Sequence, residues 1–183
     1  MIVLASKSPR RRELMKRITT DFIVYDSNVD EDKFRVFPPI EACRMISYSK
    51  AMTARKEYPN DTIVAADTVV ILNNEGINKP KDREDAFNIL RKLSNKTHEV
   101  VTSLVVIKEG KITGNIVISQ VTFNDLSDEL INAYIESGSP LDKAGAYGIQ
   151  DNDKFPIVKE YKGSYDNIVG FPVDEIKEVL ESL

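Results

Sequence analysis

The sequence predicts a mixed α/β (α+β) fold, a partly antiparallel sheet flanked by helices. Three observations carry this. Short apolar runs such as residues 2–5 and 62–66 alternate with stretches of helical period. Asn73-Asn74-Glu75-Gly76 and Glu109-Gly110 stand between β-rich runs as hairpin signals, which favours a mixed sheet over a purely parallel, doubly wound one. No linker, internal repeat or low-complexity tract interrupts the 183 residues, which therefore read as one domain with a substantial core.

The elements follow in order. Residues 2–5 form a buried strand. Ser8 caps a helix that Pro9 opens at its first turn, with Leu14, Met15 and Ile18 on one face. Residues 22–25 form a second strand, followed by the acidic loop Asn28-Val29-Asp30-Glu31-Asp32. Pro39 begins a long helix with Ala42, Met45, Ile46, Ser49 and Ala51 on its inner face, and Pro59-Asn60 ends it. Residues 62–66 and 69–72 are β-rich runs that flank Asp67-Thr68. A helix covers about residues 82–93, where Ala86, Ile89, Leu90 and Leu93 recur at helical spacing. Residues 99–107 and 111–123 form a long hairpin. Ser127 caps a helix that ends near Gly138, with acidic residues in its first turn. A polar, glycine-bearing stretch covers 139–153, a strand 155–161 and a turn 163–167. Pro172 starts a terminal helix through Val173, Ile176, Val179 and Leu180.

Composition narrows the function. Hydrophobic residues are 42% and charged residues 30%, an ordinary globular balance. A net charge of −4 argues against a bulk nucleic-acid binder, and no apolar run approaches the ~18 residues of a membrane span. Cys43 is the only cysteine, so no internal disulfide forms, and a buried inert thiol is the expected state. The first apolar run is too short for a signal peptide, and its charges follow rather than precede it, so the reading is cytoplasmic.

Against that acidic background, Lys7, Arg10, Arg11, Arg12, Lys16 and Arg17 face only Glu13 within the first 17 residues. Arginines at a helix start oppose the helix dipole, a cost that a bound anion offsets. Phosphate is the natural candidate, because guanidinium donors match its oxygens. A solvated charged face is the alternative. In "AADTVV", Asp67 interrupts an apolar run and is costly to bury without a partner, which marks it as a metal ligand or general base, or else as a turn residue between two hairpin strands. Asp30-Glu31-Asp32 offers further carboxylates, or a solvated loop. Lys50 and Lys79 are candidate phosphate charges, and "GSPLDKAGAYGIQ" carries Lys143 and Gln150, whose amide suits a base edge. His98 reads as structural or exposed. The inventory fits a metal-chelated polyphosphate attacked by water. The Walker pattern is absent, so this is not a P-loop protein.

"LASKSPRRREL", Asp30-Glu31, Ser49-Lys50-Ala51, "AADTVV", "KPKD", "KTHEVVTS", "PLDKAGAYGIQ" and "GSYDNIVGFPV" occur in this order. They make the chain closely similar to the Maf family of nucleoside triphosphate pyrophosphatases over nearly its whole length. The resemblance implies an elongated sheet related to the inosine triphosphate pyrophosphatases, split by a central cleft into two lobes. It implies hydrolysis of a nucleoside triphosphate to the monophosphate and pyrophosphate with Mg²⁺ or Mn²⁺, and a homodimer. Asp67 matches the family's proton acceptor. Ser8, Arg11, Glu31, Lys50, Lys79 and Gln150 match its polar site. Arg11, Thr68 and Gln150 match the positions tied to base preference in the branch resembling dTTP/UTP pyrophosphatases; the other main branch acts on 7-methyl-GTP. In the mechanism this implies, Ser8 and Arg10 join Arg11 at the phosphates, Glu31 with Asp67 positions the metal, and Arg12 goes to solvent or to Glu13; Lys143 is a further substrate-binding candidate. Removal of non-standard nucleotides and division arrest are both compatible roles. A nucleotide-binding regulator is the alternative from another class. Two departures stand out: Ser139 where the family often has glutamate, and Asp151 where it usually has glycine.

Overall fold

Strands of 3 to 13 residues build the sheet. A computed structural model describes residues 1–183. Its strands are β1 (Ile2–Leu4), β2 (Phe22–Val24), β3 (Thr62–Leu72), β4 (Glu75–Ile77), β5 (Thr97–Lys108), β6 (Lys111–Phe123) and β7 (Val158–Lys162). The helices are α1 (Pro9–Met15), α2 (Pro39–Glu57), α3 (Arg83–Leu93), α4 (Asp128–Glu136), α5 (Tyr165–Val169) and α6 (Val173–Ser182). All seven strands join one sheet in the order β2-β1-β3-β5-β6-β7, with β4 on β3. β1 runs parallel to β2 (Val3 opposite Ile23) and to β3 (Val3 opposite Ile63). β4 is antiparallel to β3, and β7 to β6. The sheet is therefore mixed, as the hairpin signals predict. At Asn73-Asn74 (φ 51° and 65°) and Glu109-Gly110 (φ 49° and 79°) both turn residues are left-handed, which a two-residue hairpin loop demands.

The chain falls into two compact units. The first comprises Met1–Thr68, Thr102–Val117 and Gly170–Leu183. Alternate residues of its strands enter different cores. Leu4, Val64 and Ala66 pack with Met15, Phe171 and Ile176, while Val3, Ile63 and Ala65 pack with Ala51 and Ala54 of α2. Both faces are buried, which explains why the run reads as continuously apolar. The second unit comprises Val69–Val101 and Ile118–Val169. Its core joins Leu90 and Leu93 of α3, Ile131 and Tyr134 of α4, and Phe123 of β6.

Several elements differ from the sequence reading. Asp67 lies inside one continuous strand of 11 residues and not at a turn between two strands. The backbone ladder tolerates one polar side chain when that side chain finds partners. The buried face of α2 is Ala42, Cys43, Ile46, Ser47, Ala51 and Ala54, with Met45 and Ser49 at its margin. The 163–167 turn opens the short helix α5. The last strand starts at Val158, whose N–H donates to Asn152 Oδ1 (2.8 Å) and whose carbonyl accepts from Asn152 Nδ2 (3.1 Å).

Candidate active site

The first unit assembles a charged group around β3. Asp67 lies in the buried strand β3 and is 9% exposed. Burial raises its pKa; Lys50 and then Arg11 pull it back, and Glu31 adds to the rise. Lys50, from α2, places Nζ 3.5 Å from Asp67 Oδ1 and 3.8 Å from Glu31 Oε2. The Ser27 hydroxyl donates to the Lys50 carbonyl at 2.7 Å, which ties the loop before Glu31 to α2. Of the acidic loop only Glu31 turns to this centre. Asp30 is exposed, and Asp32 accepts from Arg35 Nε at 3.3 Å. Cys43 is buried, its thiol donating to the Asp67 backbone carbonyl at 3.0 Å, and desolvation pushes its pKa up, the inert state expected.

Beside this centre, Ser8 caps α1 by accepting the Arg11 N–H at 3.3 Å. Arg11 Nε donates to the Gly170 carbonyl (2.9 Å) and Nη2 to Thr68 Oγ1 (3.0 Å). Desolvation lowers the Arg11 pKa, with Asp67 opposing. Thr68 Oγ1 also bonds Thr102 Oγ1 at 2.8 Å and lies 3.3 Å from the Gly170 carbonyl. Arg10 is half-buried and Arg12 exposed. Glu13 pairs with Lys16 at 2.8 Å.

Thr102 was not singled out by sequence reasoning. The signal was two hydroxyls, Thr102 and Ser103, inside the apolar run of β5. Both are buried, and Ser103 Oγ bonds Ser47 Oγ at 2.8 Å.

No cluster of three or more His, Cys, Asp or Glu side chains exists to cage a metal ion. Glu31 and Asp67, drawn to the same ammonium, are a pair of oxygen donors. A hard divalent cation that takes one or two carboxylates and fills its shell with water and phosphate oxygens fits such a pair.

The second unit carries the remaining candidates. Lys79 is exposed between β4 and α3. Lys143 Nζ donates to the Ser139 carbonyl at 2.7 Å and to Asp142 at 3.0 Å. Gln150 is exposed in the 3₁₀ turn Ile149–Asp151. His98 is buried, its Nε2 2.7 Å from the Tyr147 hydroxyl, and desolvation depresses its pKa to about 4. It is a structural histidine. The structure thus groups Glu31, Lys50 and Asp67 directly, and Ser8, Arg11 and Thr68 beside one another in the first unit; within the second unit Lys143 and Gln150 both lie against Gly148.

Fold and charge group together define a mixed α/β protein with a desolvated carboxylate–ammonium centre. The family model described as Maf-like protein matches residues 1–183. The chain belongs to the Maf family, whose fold is inosine triphosphate pyrophosphatase-like. It is 46% identical over 180 residues to a dTTP/UTP pyrophosphatase of Pyrococcus furiosus, covering 98% of this chain and 94% of that protein. A dTTP/UTP pyrophosphatase of Latilactobacillus sakei is 37% identical over 182 residues, with both chains fully covered. One from Thermosipho africanus is 41% identical over 179 residues, covering 98% of this chain and 91% of its own. No helix is long and apolar enough to cross a membrane.

Proposed function

We propose that this chain hydrolyses dTTP and UTP to the nucleoside monophosphate and pyrophosphate. The observation that carries the reading is Asp67, a desolvated carboxylate held 3.5 Å from an ammonium and beside a second carboxylate, in a chain whose full-length relatives bear that activity in their names. Asp67 accepts a proton from a water. That water's oxygen attacks the α-phosphorus, and pyrophosphate leaves. Desolvation raises the basicity of Asp67, and the Lys50 ammonium opposes that rise by favouring the carboxylate form. Glu31, with Asp67, would hold Mg²⁺ or Mn²⁺, which when bound neutralises charge developing on the phosphate oxygens.

Ser8, Arg10, Arg11 and Lys79 bind phosphate oxygens. Thr68 and Arg11, already hydrogen-bonded to each other, and Gln150 set base preference, and Lys143 contributes to substrate binding. The whole chain, 1–183, acts as one nucleotide pyrophosphatase domain, cytoplasmic and homodimeric, in nucleotide house-cleaning or in division arrest.

The experiment is pyrophosphate release from dTTP, UTP, other nucleoside triphosphates and 7-methyl-GTP with Mg²⁺ or Mn²⁺. Turnover of dTTP and UTP is expected. Turnover of 7-methyl-GTP alone would overturn the base assignment. Nucleotide bound but never cut would make the protein a regulator.

A further inference from the structure

Segment 139–151 consists of three single 3₁₀ turns, Ser139–Asp142, Ala144–Ala146 and Ile149–Asp151, with no helix or strand to fix its side chains. One carboxylate organises it. Asp151 Oδ2 accepts from the Tyr134 hydroxyl at 2.7 Å and from the Ser139 hydroxyl at 2.6 Å. Each hydroxyl has a single proton, and each gives it to Asp151. Their lone pairs therefore face outward from the carboxylate. Ser139 Oγ accepts from Lys143 Nζ at 3.1 Å, next to the 2.7 Å bond from Nζ to the Ser139 carbonyl. The Tyr134 oxygen accepts the Gly148 N–H at 2.8 Å. The two arms meet again at Gly148. A Cβ there would stand 2.8 Å from Lys143 Cε and 2.9 Å from Gln150 Cδ, so the two side chains flank one backbone point. A side chain at 148 would displace one or both of them.

We infer that Asp151 is the positioning residue of the Lys143–Gln150 pair. Through Ser139 Oγ it orients the Lys143 ammonium, and through Tyr134 it fixes Gly148 and with it the gap that Gln150 occupies. It sets nucleotide affinity and base preference without touching the nucleotide. The affinity part rests on the function proposed above; the positioning part does not.

Asp151→Ala and Asp151→Asn separate the two parts. The first readout needs no nucleotide: the acetylation rate of Lys143 relative to the other lysines, followed by mass spectrometry with an N-hydroxysuccinimide ester. Lys143 should react about fivefold faster in Asp151→Ala, and close to the wild-type rate in Asp151→Asn, which keeps an acceptor oxygen. The second readout is kinetic. Asp151→Ala should raise KM for dTTP and UTP about tenfold with kcat within about twofold. In a Lys143→Ala/Gln150→Ala background it should add nothing, which a merely structural role would not produce. Should Asp151→Ala fail to fold, Ser139→Ala cuts only the lysine arm and should still expose Lys143. Unchanged Lys143 labelling, or a fall in kcat at constant KM, overturns the inference. A wild type that cuts neither nucleotide defeats the pyrophosphatase reading instead, and the labelling comparison then decides the positioning alone.

Discussion

Asp67 and Asp151 are both carboxylates with close partners, and the chain partners them by opposite chemistry. Asp67 faces an ammonium at 3.5 Å, with Glu31 3.8 Å from the same nitrogen. Asp151 faces two hydroxyls at 2.7 and 2.6 Å. Ion pairs at the first spacing are too long for tight hydrogen bonds, so the oxygens keep lone pairs for a water, a proton or a cation. Hydroxyl donors at the second spacing occupy the acceptor oxygen. The first arrangement suits a group that must change its proton during turnover. The second suits a group that must not change at all.

The largest effect should come from removing the changeable carboxylate. Asp67→Asn is expected to lower kcat about 10²–10⁴-fold while leaving the affinity for a non-hydrolysed α,β-imido nucleotide within about threefold. A kcat within tenfold of wild type would remove Asp67 as the base. The variant also tests desolvation. A carboxyl whose folded pKa is raised binds its proton more tightly when folded. Its stabilising contribution is full below the unfolded pKa and is lost as pH rises through the folded one. Asp67→Asn should therefore unfold at a higher temperature than wild type above neutral pH. An unchanged or lower Tm there would contradict the burial argument.

Lys50→Met comes next. Lys50 is the largest influence holding the Asp67 pKa down. Its loss should move the acid limb of the kcat/KM profile to higher pH and lower activity at neutrality about 10–100-fold. A profile that keeps its acid limb in place would show that the limb belongs to another group.

His98 tests the holding region, since it bonds Tyr147 within the 139–151 segment. Its folded pKa of about 4 lies below the usual 6.5. The unfolded chain therefore takes up a proton first, and stability present above pH 6.5 is lost as pH falls toward 4, by on the order of 3 kcal/mol. His98→Gln should flatten Tm over that window, and an equally steep decline in the variant would exclude His98 as its source. The smallest effect is expected from Thr102→Val, which removes one partner of Thr68: about 1 kcal/mol of stability and a shift in the dTTP/UTP ratio of about threefold. A ratio unchanged within error would confine Thr102 to packing.

What sequence reasoning reached depended on period and on cost. The β5–β6 hairpin was legible because Glu109-Gly110 sits between two β-rich runs, and the Maf resemblance because ordered motifs span the chain. Asp67 stood out as a charge in an apolar run. Its place within an unbroken strand did not, since one polar residue and a break in the strand leave the same local pattern. Glu31 could not be told from Asp30 and Asp32, because selection among three adjacent carboxylates is made by Lys50, 19 positions after Glu31. The bond between Ser139 and Asp151 was equally hidden. Both were visible as departures from the family pattern, but loop residues 12 apart carry no periodicity that would pair them.

Attack of water at the α-phosphorus is tested most directly by turnover of UTP in H₂¹⁸O with mass analysis of both products. Asp67-assisted attack at the α-phosphorus predicts one ¹⁸O in the monophosphate and none in pyrophosphate, with the labelled product lost in Asp67→Asn. Label in pyrophosphate would place the attack on the β-phosphorus and contradict the assignment.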